Sequence, residues 1–226
     1  MATRTRSTAK QHDRPRTPAS RPSDDELLDA ARLVFSNAGY HATTMDAVAD
    51  HANCTKPTLY AHFGTKERLY EAAVEREARA LETWMFATYD SAPRLSGEQQ
   101  VRRATMALFE YVDAQPDGFR LLFGSEGGPP SPPAGKTAAT TRVVDALTER
   151  VADLIRRFRA EHGHDTGPSA EIIAAAVVAM GIAGARQAVL VNRVDPLEAG
   201  ELVASLAQVA LRGVHPQALD AVDRSA

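Results

Sequence analysis

The stretch from Thr43 to Phe63, TTMDAVADHANCTKPTLYAHF, leaves the chain little choice of local fold. Met45, Val48, Ala49 and Ala52 recur at i, i+3, i+4 and i+7, which is one face of a helix. Thr43 and Asp46 form a box-like start for it. Thr55 can cap a second helix, where Pro57 is acceptable because first-turn amides have no intrahelical partner. In that second helix Leu59 and Phe63 are four apart and face a core, which leaves Thr55, Lys56, Thr58 and Tyr60 on the open side. The stretch therefore reads as two short amphipathic helices on a tight connection.

The flanks continue the helical pattern. Ser23 and Glu26 form an S-x-x-E capping box, and Leu27, Ala31, Val34, Phe35 and Ala38 follow at helical spacing until Gly39 stops the helix. Gly64 and Thr65 break the chain, and a longer helix is expected from Lys66 towards Tyr89. Further helices are expected over about 98–114, 117–123, 137–161, 169–193 and 196–212, with no alternating strand pattern of useful length. The fold class is all-α. Between Gly124 and Lys136 four Gly and four Pro fall in thirteen residues, so a long loop is expected there, either a lid over a pocket or plain surface.

Composition narrows the class. With 44% hydrophobic and 24% charged residues, the balance is that of a soluble globular protein with a real core. The single Cys54 excludes an internal disulfide and fits a reducing compartment. The polar, basic N-terminus lacks the apolar region of a secretory signal. The net charge of −3 conceals an asymmetry. Residues 1–22 hold Arg4, Arg6, Lys10, Arg14, Arg16 and Arg21 against Asp13, whereas residues 80–226 hold 14 Lys/Arg against 18 Asp/Glu. A basic arm on an acidic body suits a polyanionic partner, and it equally suits a solvated, disordered tail.

A helix that reads DNA packs one face on its own domain and presents short polar side chains to base edges. The helix after Thr55 has that layout, and the pair of helices reads as a helix-turn-helix. Helix starts near Thr43, Thr55 and Thr65 offer outward amides suited to phosphate, and Lys66 adds a cation. Spacing alone also fits a helical hairpin with a polar surface.

The run TTMDAVADHANCTKPTLYAHFGTKERLY resembles the DNA-binding domain of TetR-type (tetracycline-repressor-like) transcriptional regulators over about residues 21–81. The matches are a helix ending in Phe35, the TT start, Ala49, Ala52, the PTLYAHF block and Lys66. The resemblance implies that Pro57 and Thr58 lie against base edges or a thymine methyl. It implies that Tyr60, His62 and Lys66 hold phosphates, that Thr43 or Thr44 touches the backbone on the other flank, and that Lys56 reaches a base or a phosphate. Thr55 joins this set as the cap. Asn53 stands where the family usually has Gly and tolerates the left-handed turn. Cys54 stands where relatives carry Val or Leu and reads as a small buried hydrophobe, redox sensing being the alternative.

Beyond residue 82 the resemblance is one of architecture. Glu171 to Val191 is dominated by small residues that let another helix approach closely. The next helix has Asp195 as cap, Pro196 in first position, Glu198 completing a box and Gly213 at its end, with Leu202, Val203, Leu206, Val209 and Ala210 on its apolar face. The family's architecture implies that residues of about 169–193 and 196–212 from two copies form a four-helix homodimer interface. A membrane span is rejected: the uncharged stretch Ile172–Ala185 has 14 residues, short of the roughly 20 a bilayer needs. Aromatic side chains cluster in the middle helices, and Trp84, Phe109, Tyr111 and Phe123 are the candidates for an effector pocket that the resemblance implies there, ordinary core being the other reading.

Other signals are declined. Gly135-Lys136-Thr137 lacks the glycine and the amide donors of a phosphate loop. Glu161-His162-Gly163-His164-Asp165 carries metal-ligand types in a loop without further partners. No nucleophile–base pairing stands out, so an enzyme, a cofactor and a metal are not expected.

The chain thus reads as three parts: a disordered basic arm over 1–22, a three-helix helix-turn-helix domain over 23–81 with its motif at 44–63, and a helical effector-binding and dimerisation domain over 82–226. The expected function is that of a cytoplasmic, ligand-responsive DNA-binding regulator, a repressor released from a near-palindromic double-stranded operator by a small apolar or amphipathic molecule. The alternative is a helical small-molecule-binding protein or enzyme whose DNA-binding module is unused.

Overall fold

The computed structural model describes residues 22–90, 95–124, 134–161 and 167–224. Among them are ten α-helices and no strand. The head is α1 (Asp24–Ala42), α2 (Met45–His51) and α3 (Lys56–Phe63). α4 (Lys66–Asp90) runs from the head into a body made of α5 (Gly97–Ala114), α6 (Pro116–Phe123), α7 (Ala134–Glu161), α8 (Ser169–Arg186), α9 (Pro196–Gly213) and α10 (Pro216–Asp223). A π-helical turn, Gln187–Asn192, extends α8 and ends where Arg193 turns left-handed.

Caps set most helix starts. The Ser23 hydroxyl accepts from the Glu26 amide, and the Glu26 carboxylate accepts from the Ser23 amide. Ser96 and Gln99 repeat the arrangement at α5. Asp195 accepts from the Leu197 and Glu198 amides at α9. Gly39, at φ 75 and ψ 167, breaks the helical ladder inside α1, so the expected stop is a kink and one further turn reaches Ala42. Asn53 adopts φ 52 in the α2–α3 connection, as its tolerance of the left-handed region allows.

Leu27, Ala31, Phe35, Val48, Leu59, Leu69 and Tyr70 bury together, so α4 closes the core of the head. α4 then packs on α5, α6 and α7, while α5 packs on α9 and α8, which also pack on each other. Small residues permit the closest of these approaches. A Cβ on Gly184 would stand 2.7 Å from Val203 Cγ2, and one on Gly200 would stand 2.9 Å from Phe109 Cβ. α8 with its π turn is apolar and long enough to cross a membrane by composition, yet it packs against α5, α7 and α9.

α1 also packs on α6, and the joint is polar. Arg32 Nη1 donates to Gln115 Oε1 at 3.0 Å, Ser36 Oγ to Asp117 Oδ1 at 3.2 Å, and Arg120 Nη1 to Asn37 Oδ1 at 3.2 Å. At its centre lies the buried Glu77 of α4, whose Oε1 accepts from Arg76 Nη2 at 3.1 Å while Arg32 Nη1 stands 3.9 Å from Oε2. Glu77→Ala should destabilise the protein by about 2–3 kcal/mol, below the cost of breaking a fully buried pair because both arginines keep some water. Thermal melts should show a fall of several degrees, with Glu77→Gln recovering part of it; an unchanged midpoint in the Ala variant would remove the carboxylate from the joint's energetics.

Two further elements differ from the sequence expectation. α7 begins at Ala134, inside the expected Gly124–Lys136 loop, because nothing forbids a helix once Pro133 is passed. α10 was not expected, since Leu219 and Val222 are a weak apolar signal; Pro216 starts it and His215 Nδ1 accepts from the Gln217 amide at 3.3 Å. The arm (apart from Pro22), the rest of the Gly/Pro segment and the His162–His164 cluster lie outside the described residues. Among the described residues no group of His, Cys, Asp and Glu could hold a metal ion.

Candidate nucleic-acid interface

α3 presents the surface that its sequence suggested. Leu59 is fully buried against the head core and Phe63 half-buried, while Thr55, Lys56, Pro57, Tyr60 and His62 are exposed. Tyr60 is 44% exposed. The Thr55 hydroxyl accepts from the Thr58 amide at 3.4 Å and lies 2.9 Å from the Thr58 hydroxyl, so the two threonines act as one capping unit with Thr58 half-buried. Lys56 Nζ donates to Asp46 Oδ2 at 2.9 Å, which ties α3 to α2 and raises the lysine's pKa through that hydrogen bond. Exposed ion pairs of this kind are weak, so a phosphate can take the ammonium over at little cost.

Three candidates sit differently from the expectation. Thr43 is buried at 2% exposure, and its hydroxyl donates to the Gly39 carbonyl at 2.7 Å, so its side chain offers nothing to a ligand. The cap of α2 is Thr44 instead, whose hydroxyl accepts from the Ala47 amide at 3.1 Å. The kink at Gly39 is the cause, because it turns Thr43 inward to close α1. Lys66 is half-buried, donates to the Thr43 carbonyl at 2.7 Å and lies 4.4 Å over the Tyr40 ring, a cation–π contact that clasps α4 to the α1–α2 connection. His62 Nδ1 lies 2.5 Å from Asp24 Oδ1, linking the end of α3 to the start of α1. Nothing in the sequence paired Asp46, Tyr40 and Asp24 with these groups, which lie 10, 26 and 38 residues away.

Cys54 is half-buried, packs against the core and donates weakly to the Thr55 carbonyl at 3.6 Å. Burial raises its thiol pKa, which disfavours the reactive thiolate.

Among the described residues of the body a cavity lies apart from the four aromatic candidates. Phe109, Tyr111 and Phe123 are buried in the core, and Trp84 Nε1–H donates to the Ala107 carbonyl at 3.0 Å with its ring edge-on to Tyr111. None of the four lines the cavity. That space, about 270 Å³, lies at the end of the body away from the head. Its walls are Tyr89 at the end of α4, Gly97 to Ala104 of α5, Val151 to Arg159 of α7, Ile173 and Val177 of α8, Leu211 and Arg212 of α9, Val214, and Leu219 of α10. Burial pushes the Tyr89 phenol up to about 12, so its hydroxyl stays protonated. The large rings fill space between α4, α5 and α6, whereas this gap is left among mostly aliphatic side chains where six helices end or begin. A second void of about 30 Å³ shares Tyr89, Ala104, Val151 and Val177 with it.

Residues 27–73 match the family model described as bacterial regulatory proteins, tetR family. The HTH-type transcriptional activator FasR of Mycolicibacterium smegmatis is 31% identical over 189 residues, 84% of this chain and 81% of FasR. The HTH-type transcriptional repressor KstR2 of the same organism is 35% identical over 103 residues, 45% of this chain and 47% of KstR2. A TetR-like transcriptional regulator from Rhodococcus sp. RHA1 superposes with a TM-score of 0.66 at 30% identity, over 84% of this chain and 96% of that one. The fold is shared with the Bacillus subtilis regulator FadR in complex with stearoyl-CoA, TM-score 0.69 at 12% identity over 85% of this chain and 100% of FadR. With a helix-turn-helix head, a helical body and a likeness to such regulators over 84% of its length, the chain belongs to the TetR family of DNA-binding bacterial transcriptional regulators.

Proposed function

We propose that the protein works in the cytoplasm as a homodimer that places α3 of each subunit in successive major grooves of a near-palindromic operator, and that a small molecule in the body cavity releases it. The observation that carries this reading is the surface of α3, where Leu59 anchors the helix and Thr55, Lys56, Pro57 and Tyr60 stand outward together. Pro57 and Thr58 read base edges, Lys56 and Tyr60 reach a base or phosphates, and Thr44 meets the backbone on the other flank. Lys66 and His62 lend a share of charge while they brace the head. The head is residues 23–81 and the body 82–226. The basic residues of 1–22 add phosphate contacts.

An exposed apolar face supports the dimer. α9 leaves Leu202, Leu206 and Val209 open at one helical stripe, and α8 leaves Ile172, Ala176, Ala179 and Ala183 open beside it. A patch of this kind marks an interaction site. Reading helices of the two subunits must then lie about 34–36 Å apart to meet one face of the duplex. This use of α8 and α9 also leaves no role for a membrane.

The effector reading rests on the cavity, and it is supported by the FadR neighbour, whose structure is a complex with stearoyl-CoA. Repression follows if the operator overlaps a promoter; relatives include both an activator and a repressor, and a reporter fusion separates the two. A mobility-shift assay with DNA from upstream of the protein's own gene tests the core reading: a salt-sensitive shift supports it and none at low salt defeats it. Tyr60→Phe should weaken binding by about 0.5–1.5 kcal/mol, equally for operator and unrelated DNA, since it removes one hydrogen bond to a phosphate. A loss confined to the operator would make Tyr60 a base-reading residue instead.

A further inference from the structure

Taking the cavity as the effector site, on which this rests, we infer that it binds an aliphatic carboxylic acid of medium chain length, whose head group displaces Asp223 from Arg159 and so lifts α10 away. The wall groups Val101, Ile155, Ile173, Leu211 and Leu219 offer an alkyl chain only apolar contact. A volume of about 270 Å³ equals roughly nine water-sized groups, which suits a chain of roughly eight to ten carbons.

The head-group site is already built and already holds a carboxylate. Arg159 lines the cavity and is 7% exposed. Its Nη2 donates to Asp223 Oδ2 at 2.9 Å and its Nη1 to Ser169 Oγ at 2.7 Å, while its Nε–H is buried without a partner. Asp223 Oδ1 also accepts from the Ser169 amide at 2.9 Å. A guanidinium, a hydroxyl and an amide at the start of α8 thus converge on one carboxylate, with one buried donor to spare. What the aspartate occupies, a ligand carboxylate can occupy too.

The aspartate is the chain's own stopper. α10 has no buried residue, and this latch and Leu219 over the cavity are among the contacts that hold it. Gly167 makes the docking possible, because a Cβ there would stand 2.5 Å from Asp223 Oδ1 and 2.7 Å from its Cγ. The signal has a short way to travel. Ile173 faces the cavity, and Ile172 beside it lies exposed on the face assigned to the dimer.

Calorimetric titration of the full-length protein with sodium decanoate and with decan-1-ol tests the inference. Decanoate should bind at least about tenfold more tightly than the alcohol, the ratio expected for a charge-assisted hydrogen bond. Asp223→Ala and Gly167→Ala should each tighten decanoate by about tenfold, because the competitor is gone while Arg159 stays; Arg159→Met should bring decanoate down to the level of the alcohol. Equal binding of acid and alcohol, unchanged decanoate affinity in both unlatching variants, or binding of stearoyl-CoA without decanoate would each overturn it. Should Arg159→Met fail to fold by circular dichroism, the two unlatching variants decide alone. The same samples on upstream DNA keep the two readings apart: a shift without decanoate binding sinks the carboxylate site and leaves the regulator, whereas no shift sinks the regulator.

Discussion

Phe35→Ala should cost about 3–5 kcal/mol and take DNA binding with it. The ring is 2% exposed and meets Tyr70 edge-on at 4.9 Å and Tyr40 in a stack at 6.2 Å. It therefore joins α1 and α4 with the turn after Gly39 in one contact set. Tyr40 in turn carries the Lys66 ammonium on its face. Truncation removes the apolar burial and leaves a cavity where α1 meets α4, so the angle of α3 against the body loosens as well. Urea denaturation should show the head melting at much lower denaturant, and the mobility shift should vanish at 37 °C before it does in the cold. A variant with unchanged denaturation midpoint would mean that the ring is not the keystone its packing indicates.

The second large effect concerns assembly. Leu202→Glu together with Leu206→Glu should leave each chain folded, since both leucines are already more than half exposed in the single subunit, at 63% and 52%. The same change places charges in the centre of the apolar face, where a partner would have to desolvate them. Light scattering should then give the monomer mass at micromolar concentration with an unchanged circular dichroism spectrum. Operator affinity should fall by about 100-fold or more, because two half-sites no longer act at high effective concentration. A double variant that still ran as a dimer and still bound the operator would remove α9 from the interface.

How far the sequence could be read follows the range of each interaction. Caps and stops are local, so Ser23 with Glu26, the turn at Asn53, Thr55 before Pro57, and Asp195 before Pro196 stood in the sequence as they stand in the fold. The face of α3 was legible for the same reason, since Leu59 and Phe63 are separated by one helical turn. Thr43 was misplaced because the kink at Gly39 moves the cap by one residue, a shift below the resolution of a spacing argument. The attachments of Lys56, His62 and Lys66 were invisible, because Asp46, Asp24 and Tyr40 reach them only after three helices have packed. The position of the described cavity was not legible either. Aromatic content pointed to Trp84, Phe109, Tyr111 and Phe123, yet large rings are what fills a gap, and this cavity lies among mostly aliphatic side chains from six helices.

By itself, then, the order of residues determined an all-helical chain with a DNA-reading head, since helix starts, stops and faces depend on neighbours within about four positions. Only tertiary structure decided where the described cavity lies and which charges meet beside it. Arg159, Ser169 and Asp223 span three helices and meet through packing alone, and no local rule of spacing brings such groups together.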